Sequence, residues 1–473
     1  MADTSELLAA VDAAVTANET EIVDTTLKLW ELSETSLNEI ESSKLLMKKL
    51  KGRGFTITSE GTSHIPTAFI AEWGGDGPIL GILLEYDALP NLGNKPICQK
   101  EARDDGKVDG HGCGHNVIGA SSLGAAIAIK TVMEAQGIKG KLRVYGCASE
   151  ETEGAKVYMA RDGLFNDLDV CLHNHPFEVG MVGNISTTAV DQMRIEFFGR
   201  TAHAGNTPWL GRSAVHAAEL FTHGINLMRE HLEPTARVHY VYESAGTAPN
   251  VVPDYAKVWL GSRDCDREHV TKTSAWIKSI AEGAALATQT EAKVDLFYGM
   301  HDILPNTPLA ERMQVHFERI GVPAWTEEEQ AFAREVQKAF EIPEKGLATA
   351  VMPMPKEPKM GGASDVGDVS YNAPTMGITM PTLPIGISLH TWAATASHGM
   401  SIGTRCAVQT ARVLAAMGID AMTDADLRNA AKADFARRTE GKTFTSALPA
   451  DRIEPFSMPQ WMLHSDGSRE MMA

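Results

Sequence analysis

Residues 78–84 read Pro-Ile-Leu-Gly-Ile-Leu-Leu, a run without one polar side chain, and it stops at Glu85-Tyr86-Asp87. An apolar strand with no alternation is covered on both faces, so it belongs inside a sheet flanked by helices. Carboxylates at the exit of such a strand sit where open α/β sheets place their binding sites; they equally suit a plain turn cap. The arrangement recurs. Residues 141–148 lead into Ser149-Glu150-Glu151-Thr152-Glu153-Gly154, and 170–172 lead into His173-Asn174-His175-Pro176. One polar strand exit is commonplace. Three in succession, alternating with helical runs, place acids and imidazoles along one edge of one sheet.

Between the first and second exits lies His111-Gly112-Cys113-Gly114-His115-Asn116. Alternate residues of an extended or sharply turned segment point the same way, so Cys113 and His115 can face one point. A thiolate and an imidazole are donors that a borderline-soft divalent ion takes. The bland reading is a polar loop before the apolar helix expected at 117–135. Glu150-Glu151 suits metal-assisted hydrolysis, where one carboxylate holds an ion and its neighbour moves a proton. A solvated acidic turn is the commoner meaning of an isolated Glu-Glu pair.

The length of 473 residues allows two or three domains, and the net charge of −18 argues against nucleic-acid or anionic-membrane partners. No run reaches the ~18 to 20 apolar residues of a membrane span. The opening Met-Ala-Asp-Thr-Ser-Glu lacks the basic and apolar regions of a signal peptide. The six cysteines form no CxxC pair and read as reduced thiols, so a cytoplasmic location is expected.

Helical spacing covers 5–53, and strands are expected at 67–73 and 78–84. From 188 the character changes. Segments 192–198, 238–243, 256–263 and 291–298 read as strands, the first and third alternating polar with apolar, and 213–230 and 273–288 read as helices: an antiparallel α+β unit suited to a lid or a dimer contact. Helix-like sequence follows to 340, then a Pro-rich loop at 351–358, a Gly/Ser loop at 361–370, two histidines at 390 and 398, and an apolar helix at 406–417. Backbone NH groups of the 361–370 loop suit an anion such as a carboxylate, or simply make a tight turn. The expected division is a catalytic domain in two parts, 1–187 and 301–425, a lid at 188–300, and a tail at 426–473 that begins helical.

The segments HGCGHN, SEETEG, LHNHP, GRTAHAG, GTAPNVVPD, GASDVGDVS and LHTW occur in this order. Together they resemble the M20 metallopeptidase family in its amidohydrolase branch. The resemblance implies an α/β, three-layer di-metal exopeptidase-like catalytic domain interrupted by an inserted α+β, ferredoxin-like lid and dimerisation domain. It implies two divalent ions per subunit, zinc or manganese, held by Cys113, His115, Glu151, His175 and His390. His173 is the alternative to His175, and His398 the alternative to His390. Asp87 takes the supporting position behind the ligands. The wider family often has His where this chain has Glu85, so Glu85 stays outside the expected ligand set.

The same resemblance makes Glu150 the general base, taking a proton from the attacking water and returning it to the departing amine. It makes His203 a lid residue that reaches the partner subunit's site to polarise the scissile carbonyl, with Asn250 similarly placed; on residues alone His203 could be a surface cap. Arg263 and Ser364 are the candidates for a substrate carboxylate, with an ion pair to Asp264 or Asp266 the other reading of Arg263. The implied reaction is hydrolysis of a small N-acyl or N-aroyl amino acid, or a dipeptide, by a cytoplasmic homodimer. The rivals are hydrolysis of another amide such as a xenobiotic carboxamide or a cyclic amide, a metal-stabilised binding protein without catalysis, and a subunit that acts with a second chain.

Overall fold

The computed structural model describes residues 4–440 and 442–455, and the backbone of two short strands, Trp461–Leu463 and Arg469–Met471. In chain order the larger sheet comprises β1 (Thr56–Glu60), β2 (Phe69–Gly74), β3 (Ile79–Glu85), β4 (Lys141–Cys147), β5 (Val170–Phe177) and β6 (Met181–Val182), and a strand far downstream, Thr375–Pro381. Its spatial order is β1, β2, β4, β3, β5, Thr375–Pro381, β6. The four central strands are parallel, so their carboxyl ends share one edge. All three polar exits lie along it, as the strand pattern predicts.

Helix His115–Gln136 packs against β3 and β5. Contrary to the expectation that no run reaches a membrane span, it is long and apolar enough to cross one. It is buried inside the protein instead, where its Ala-rich surface lets helices Glu19–Leu32 and Ser401–Thr423 approach. The helical stretch expected at 5–53 is three helices, Thr4–Ala17, Glu19–Leu32 and Ile40–Gly52. The second ends at Ser33, whose φ of 44° stops the helix in the left-handed conformation.

One strand expectation needs correction, and one strand is not among the expectations. β5 does not stop before the histidines; it runs through His173-Asn174-His175-Pro176. Strand alternation therefore turns His173 and His175 to one face and Asn174 to the other, where it bonds Ser121 and Ser122 of the His115–Gln136 helix at 3.0 Å each. The strand Thr375–Pro381, unexpected from its Gly and Pro content, pairs with β5 over its whole length.

The inserted unit holds Ala189–Phe198, Arg237–Ala245, Tyr255–Asp264 and Glu291–Met300 in one antiparallel sheet. Taken in sequence the strands lie in the order fourth, first, third, second, with helices Ala214–Met228 and Arg267–Thr288 as the two connections, the ferredoxin-like arrangement. The unit has its own core around Phe197, Phe221, Ile225 and Ile277. After it come helices Thr307–Ile320 and Glu327–Ala339, and Ala425–Thr439 is the last helix among the described residues.

Candidate metal centre and active site

Cys113 and His115 reach the sheet edge because Gly114 turns the chain between them with φ of 84°. A Cβ on Gly114 would lie 2.7 Å from the ring of His398, so the tight approach requires glycine. His115 opens its helix and is fully buried. Its Nδ1 lies 2.8 Å from Asp87 Oδ1, and Asp87 Oδ2 accepts from Ser36 and from the Glu151 backbone NH. Burial alone would raise the Asp87 carboxyl, but His115 and these donors hold it down at about 2. Burial works against the charged form of His115, and Asp87 and the Cys113 sulfur nevertheless raise its pKa well above the ordinary histidine value.

The other ring nitrogen of His115 faces a ring of oxygens: Glu85 Oε2 at 3.5 Å, Glu151 Oε1 at 3.8 Å and Glu150 Oε2 at 3.9 Å. His115 Nε2, Glu85 Oε2 and Glu151 Oε1 are all buried without a hydrogen-bond partner. Cys113 Sγ lies 3.5 Å from His175 Nε2, whose ring is fixed by Nδ1 at 2.7 Å from the Pro176 carbonyl. His390 Nε2 approaches Glu151 Oε1 to 3.3 Å. Ligand atoms of Cys113, His115 and His175 form one compact group, those of Cys113, Glu151 and His390 a second, and those of His115, Glu150 and Glu151 a third.

Sulfur, imidazole nitrogen and carboxylate oxygen converge here. That donor set is one that divalent ions fit. Burial pushes the Cys113 thiol well up, with Glu151 adding to it, and burial together with Asp365, Glu85 and Glu151 pushes the Glu150 carboxyl well up. A cation among these groups would favour their charged forms instead.

Backbone strain marks the same place. Ser149, just before the two glutamates, and His390 both hold positive φ, 59° and 60°. Two non-glycine residues in that conformation at one cluster are held there by their surroundings. The Ser149 NH donates to Glu39 Oε1 at 2.8 Å, and the His390 NH to the Gly112 carbonyl at 2.9 Å.

The alternatives left by the sequence separate in space. His173 lines the cavity but packs against Gly377 and joins none of the three groups. His398 is buried with both ring nitrogens engaged, by the His111 carbonyl and by Thr382. Asp87 stands behind His115. His203 and Asn250 are exposed on the inserted unit, adjacent to each other through the Ala204 NH to Asn250 carbonyl bond, and are not among the described residues lining this chain's cavity.

The cavity at the cluster measures about 600 Å³. Its lining includes the apolar side chains Phe177, Met181, Ile185, Met300, Ile303 and Met360, and Ser364 lines it too. Arg263 is the one Lys or Arg among its described lining residues, and its Nε is buried without a partner. The expected alternative, a pair with Asp264 or Asp266, does not form: Asp264 accepts from Thr235 and Asp266 caps the Arg267–Thr288 helix.

Three residues outside the expected site set border the cluster or stand behind it, and the sequence pattern marks only Glu85 among them, as a strand exit. Glu85, outside the expected ligand set, borders the cluster. Lys156 and Asp365 lie behind it, fully buried and joined at 2.7 Å. The one sequence signal for Lys156 is a charge inside the apolar run Ala-Lys-Val-Tyr-Met-Ala.

The chain is 33% identical to a p-aminobenzoyl-glutamate hydrolase subunit of Escherichia coli K12 over 94% of its own length and 98% of that protein. It belongs to the M20 peptidase family. The M20 peptidase dimerisation domain matches residues 186–289, which lie within the inserted unit and its approach. Human Xaa-Arg dipeptidase is 26% identical over 81% of each chain. A dinuclear metal-binding M20 peptidase from Bacillus subtilis shares the fold, with a TM-score of 0.58 at 19% identity over 85% of this chain and 99% of that one. The chain is thus an M20-family hydrolase with a mixed α/β catalytic sheet and a separate antiparallel dimerisation domain.

Proposed function

We propose that this M20 hydrolase cleaves the amide bond of a small N-acyl or N-aroyl amino acid, resembling p-aminobenzoyl-glutamate, or of a dipeptide. The observation that carries the reading is the meeting of Cys113, His115, Glu151, His175 and His390 in overlapping groups, with Glu150 beside His115 and Glu151, on a cavity lined by apolar side chains and one guanidinium. Cys113, His115, Glu151, His175 and His390 would hold two divalent ions, zinc or manganese. Such ions supply Lewis acidity and ease the ionisation of water.

Glu150 borders the cavity, with its carboxylate near His115 and Glu151. Its role is to take a proton from the attacking water and deliver it to the amine nitrogen as the amide carbon–nitrogen bond breaks. Arg263 pairs with the carboxylate of the amino-acid half, and the Ser364 loop lies beside it. The apolar lining takes the acyl or aroyl half, excluding water from it.

His203 and Asn250 act from a second copy of the chain. The second strand of the inserted sheet lies at its edge and exposes Val241 and Tyr242, and the neighbouring helix exposes Leu220 and Leu227. An apolar edge of this kind suits strand or helix pairing between copies. His203 would then donate to the carbonyl oxygen as it gains charge. A different partner is favoured by one observation, that the Escherichia coli relative is named as one subunit of its enzyme; co-purification with a second polypeptide would select that reading.

The test is metal content measured together with release of free amino acid from a panel of N-acyl, N-aroyl and dipeptide substrates. Chelator-sensitive release from carboxylate-bearing substrates is expected. A metal-loaded chain that cleaves only amides lacking a carboxylate would overturn the substrate class, and one that cleaves none would leave a binding protein.

A further inference from the structure

Lys156 is a charge in the interior for which the reaction above gives no role. It is fully buried, and its ammonium lies 2.7 Å from Glu85 Oε1 and 2.7 Å from Asp365 Oδ1. Its backbone NH also reaches Asp365 Oδ2 at 3.2 Å. Moving an ammonium and two carboxylates out of water costs several kcal/mol per ion, and apolar side chains of similar volume usually serve stability as well. A trio of this sort calls for a reason beyond packing.

Glu85 supplies one, because its two oxygens face different things. Oε1 is held by Lys156, while Oε2 is buried, unpartnered and 3.5 Å from His115 Nε2. Glu85 also lines the cavity beside Cys113 and Glu151. One carboxylate is divided between a cation built into the fold and the place where exchangeable cations would sit. Asp365 holds the same ammonium at 2.7 Å, a second anchor that keeps it in place beside Glu85.

We propose that Lys156 sets the ion affinity of this centre: by holding one oxygen of Glu85 it keeps that carboxylate from closing on an ion as a full ligand. The proposal rests on the reading that ions bind at Cys113, His115, Glu151, His175 and His390. It makes Lys156 a positioning residue that touches neither substrate nor the reacting atoms.

The test is titration of the full-length, metal-stripped chain with Mn²⁺ alone, by calorimetry. Lys156→Met leaves two buried carboxylates facing each other and risks misfolding. The variant K156M/D365N avoids this, since losing one cation and one anion together leaves the trio's net charge unchanged. In K156M/D365N a Mn²⁺ dissociation constant is expected to fall about tenfold or more, the scale on which neighbours of metal ligands act. Adding Glu85→Gln to that variant is expected to remove the gain. In the otherwise native chain, Glu85→Gln is expected to change Mn²⁺ affinity by less than about threefold, because Lys156 already withholds the carboxylate; this is small on the same scale. Unchanged or weaker binding by K156M/D365N overturns the proposal, and so does a tenfold loss in Glu85→Gln alone. A merely structural lysine would not tighten ion binding when removed. A wild-type chain that binds Mn²⁺ yet cleaves no amide would overturn the proposed hydrolysis and leave this inference standing.

Discussion

Asp87 and His115 meet at 2.8 Å with neither side chain exposed to solvent, and the same carboxylate accepts the Glu151 backbone NH. One aspartate thus orients two of the candidate ligands. Replacing Asp87 with Ala is expected to weaken divalent-metal affinity about 10- to 100-fold, the usual cost of losing a partner of a metal-bound histidine. Competition with a chromogenic chelator measures it; unchanged affinity would separate Asp87 from ion binding.

Glu150 is the candidate proton carrier. Glu150→Gln keeps the size and removes the base, so kcat for amide cleavage is expected to drop by about 10²- to 10⁴-fold. Metal content by mass spectrometry should stay at the wild-type value. Retained turnover would move the base elsewhere.

Arg263 carries a buried Nε with no partner in the cavity wall. Arg263→Ala is expected to raise KM for carboxylate-bearing substrates by about 10- to 100-fold, in keeping with about 1.5 to 3 kcal/mol for a charge-assisted bond. The matching primary amides should lose far less. Steady-state kinetics on paired acid and amide substrates decides the point.

His203 is exposed on the inserted unit and is not among the described residues lining its own chain's cavity. If it serves a neighbouring copy, His203→Ala and Glu150→Gln proteins are each inactive but complement one another. Mixing them while copies exchange partners should restore activity, since a mixed dimer has one site with both groups. Val241→Lys on the exposed sheet edge should yield monomers by sedimentation velocity and lose activity together with assembly.

Far from the site, Asp420 receives Arg312 at 2.7 Å and His316 at 2.8 Å. Burial favours its neutral form, but these two partners lower its pKa overall. A carboxyl lowered in the folded state binds its proton more readily when unfolded. Its contribution is therefore complete above the unfolded value of about 3.9 and is lost as pH falls through the lower folded value. Asp420→Asn should cost about 1 to 3 kcal/mol at neutral pH. The gap between the two proteins should close as pH falls through that lower folded value, followed by urea unfolding at stepped pH.

The catalytic sheet is legible in the sequence because strand exits carry residues that an apolar interior rejects. Glu85, Glu150 and His173-Asn174-His175 mark the shared edge by composition alone. What stays hidden follows from the same rule run in reverse. Thr375–Pro381 contains Gly377 and ends in proline, which weakens its strand signal and leaves it unassigned, yet in the fold Gly377 makes room for His173. Lys156 looks like a solvated helix residue because its partners, Glu85 and Asp365, are remote in sequence and only the fold brings them together. The choice between His173 and His175 needs the register of β5 against its neighbour. The exposure of His203 and Asn250 is invisible in the sequence, since a polar loop has the same composition whether it faces water or another copy.

The candidate ligand cluster draws on Cys113, early in the chain, and on His390, beyond the inserted unit and beyond the strand that pairs with β5. A nascent polypeptide that ends before residue 375 lacks both that strand and His390, so it has the early donors with nothing to close them. Ion capture at these residues would then belong to the last stage of biosynthesis, after the inserted unit has left the ribosome. Because whatever binds only the finished fold stabilises it, the ions would act as a seal on completed chains, and truncated ones would go unsealed to proteolysis.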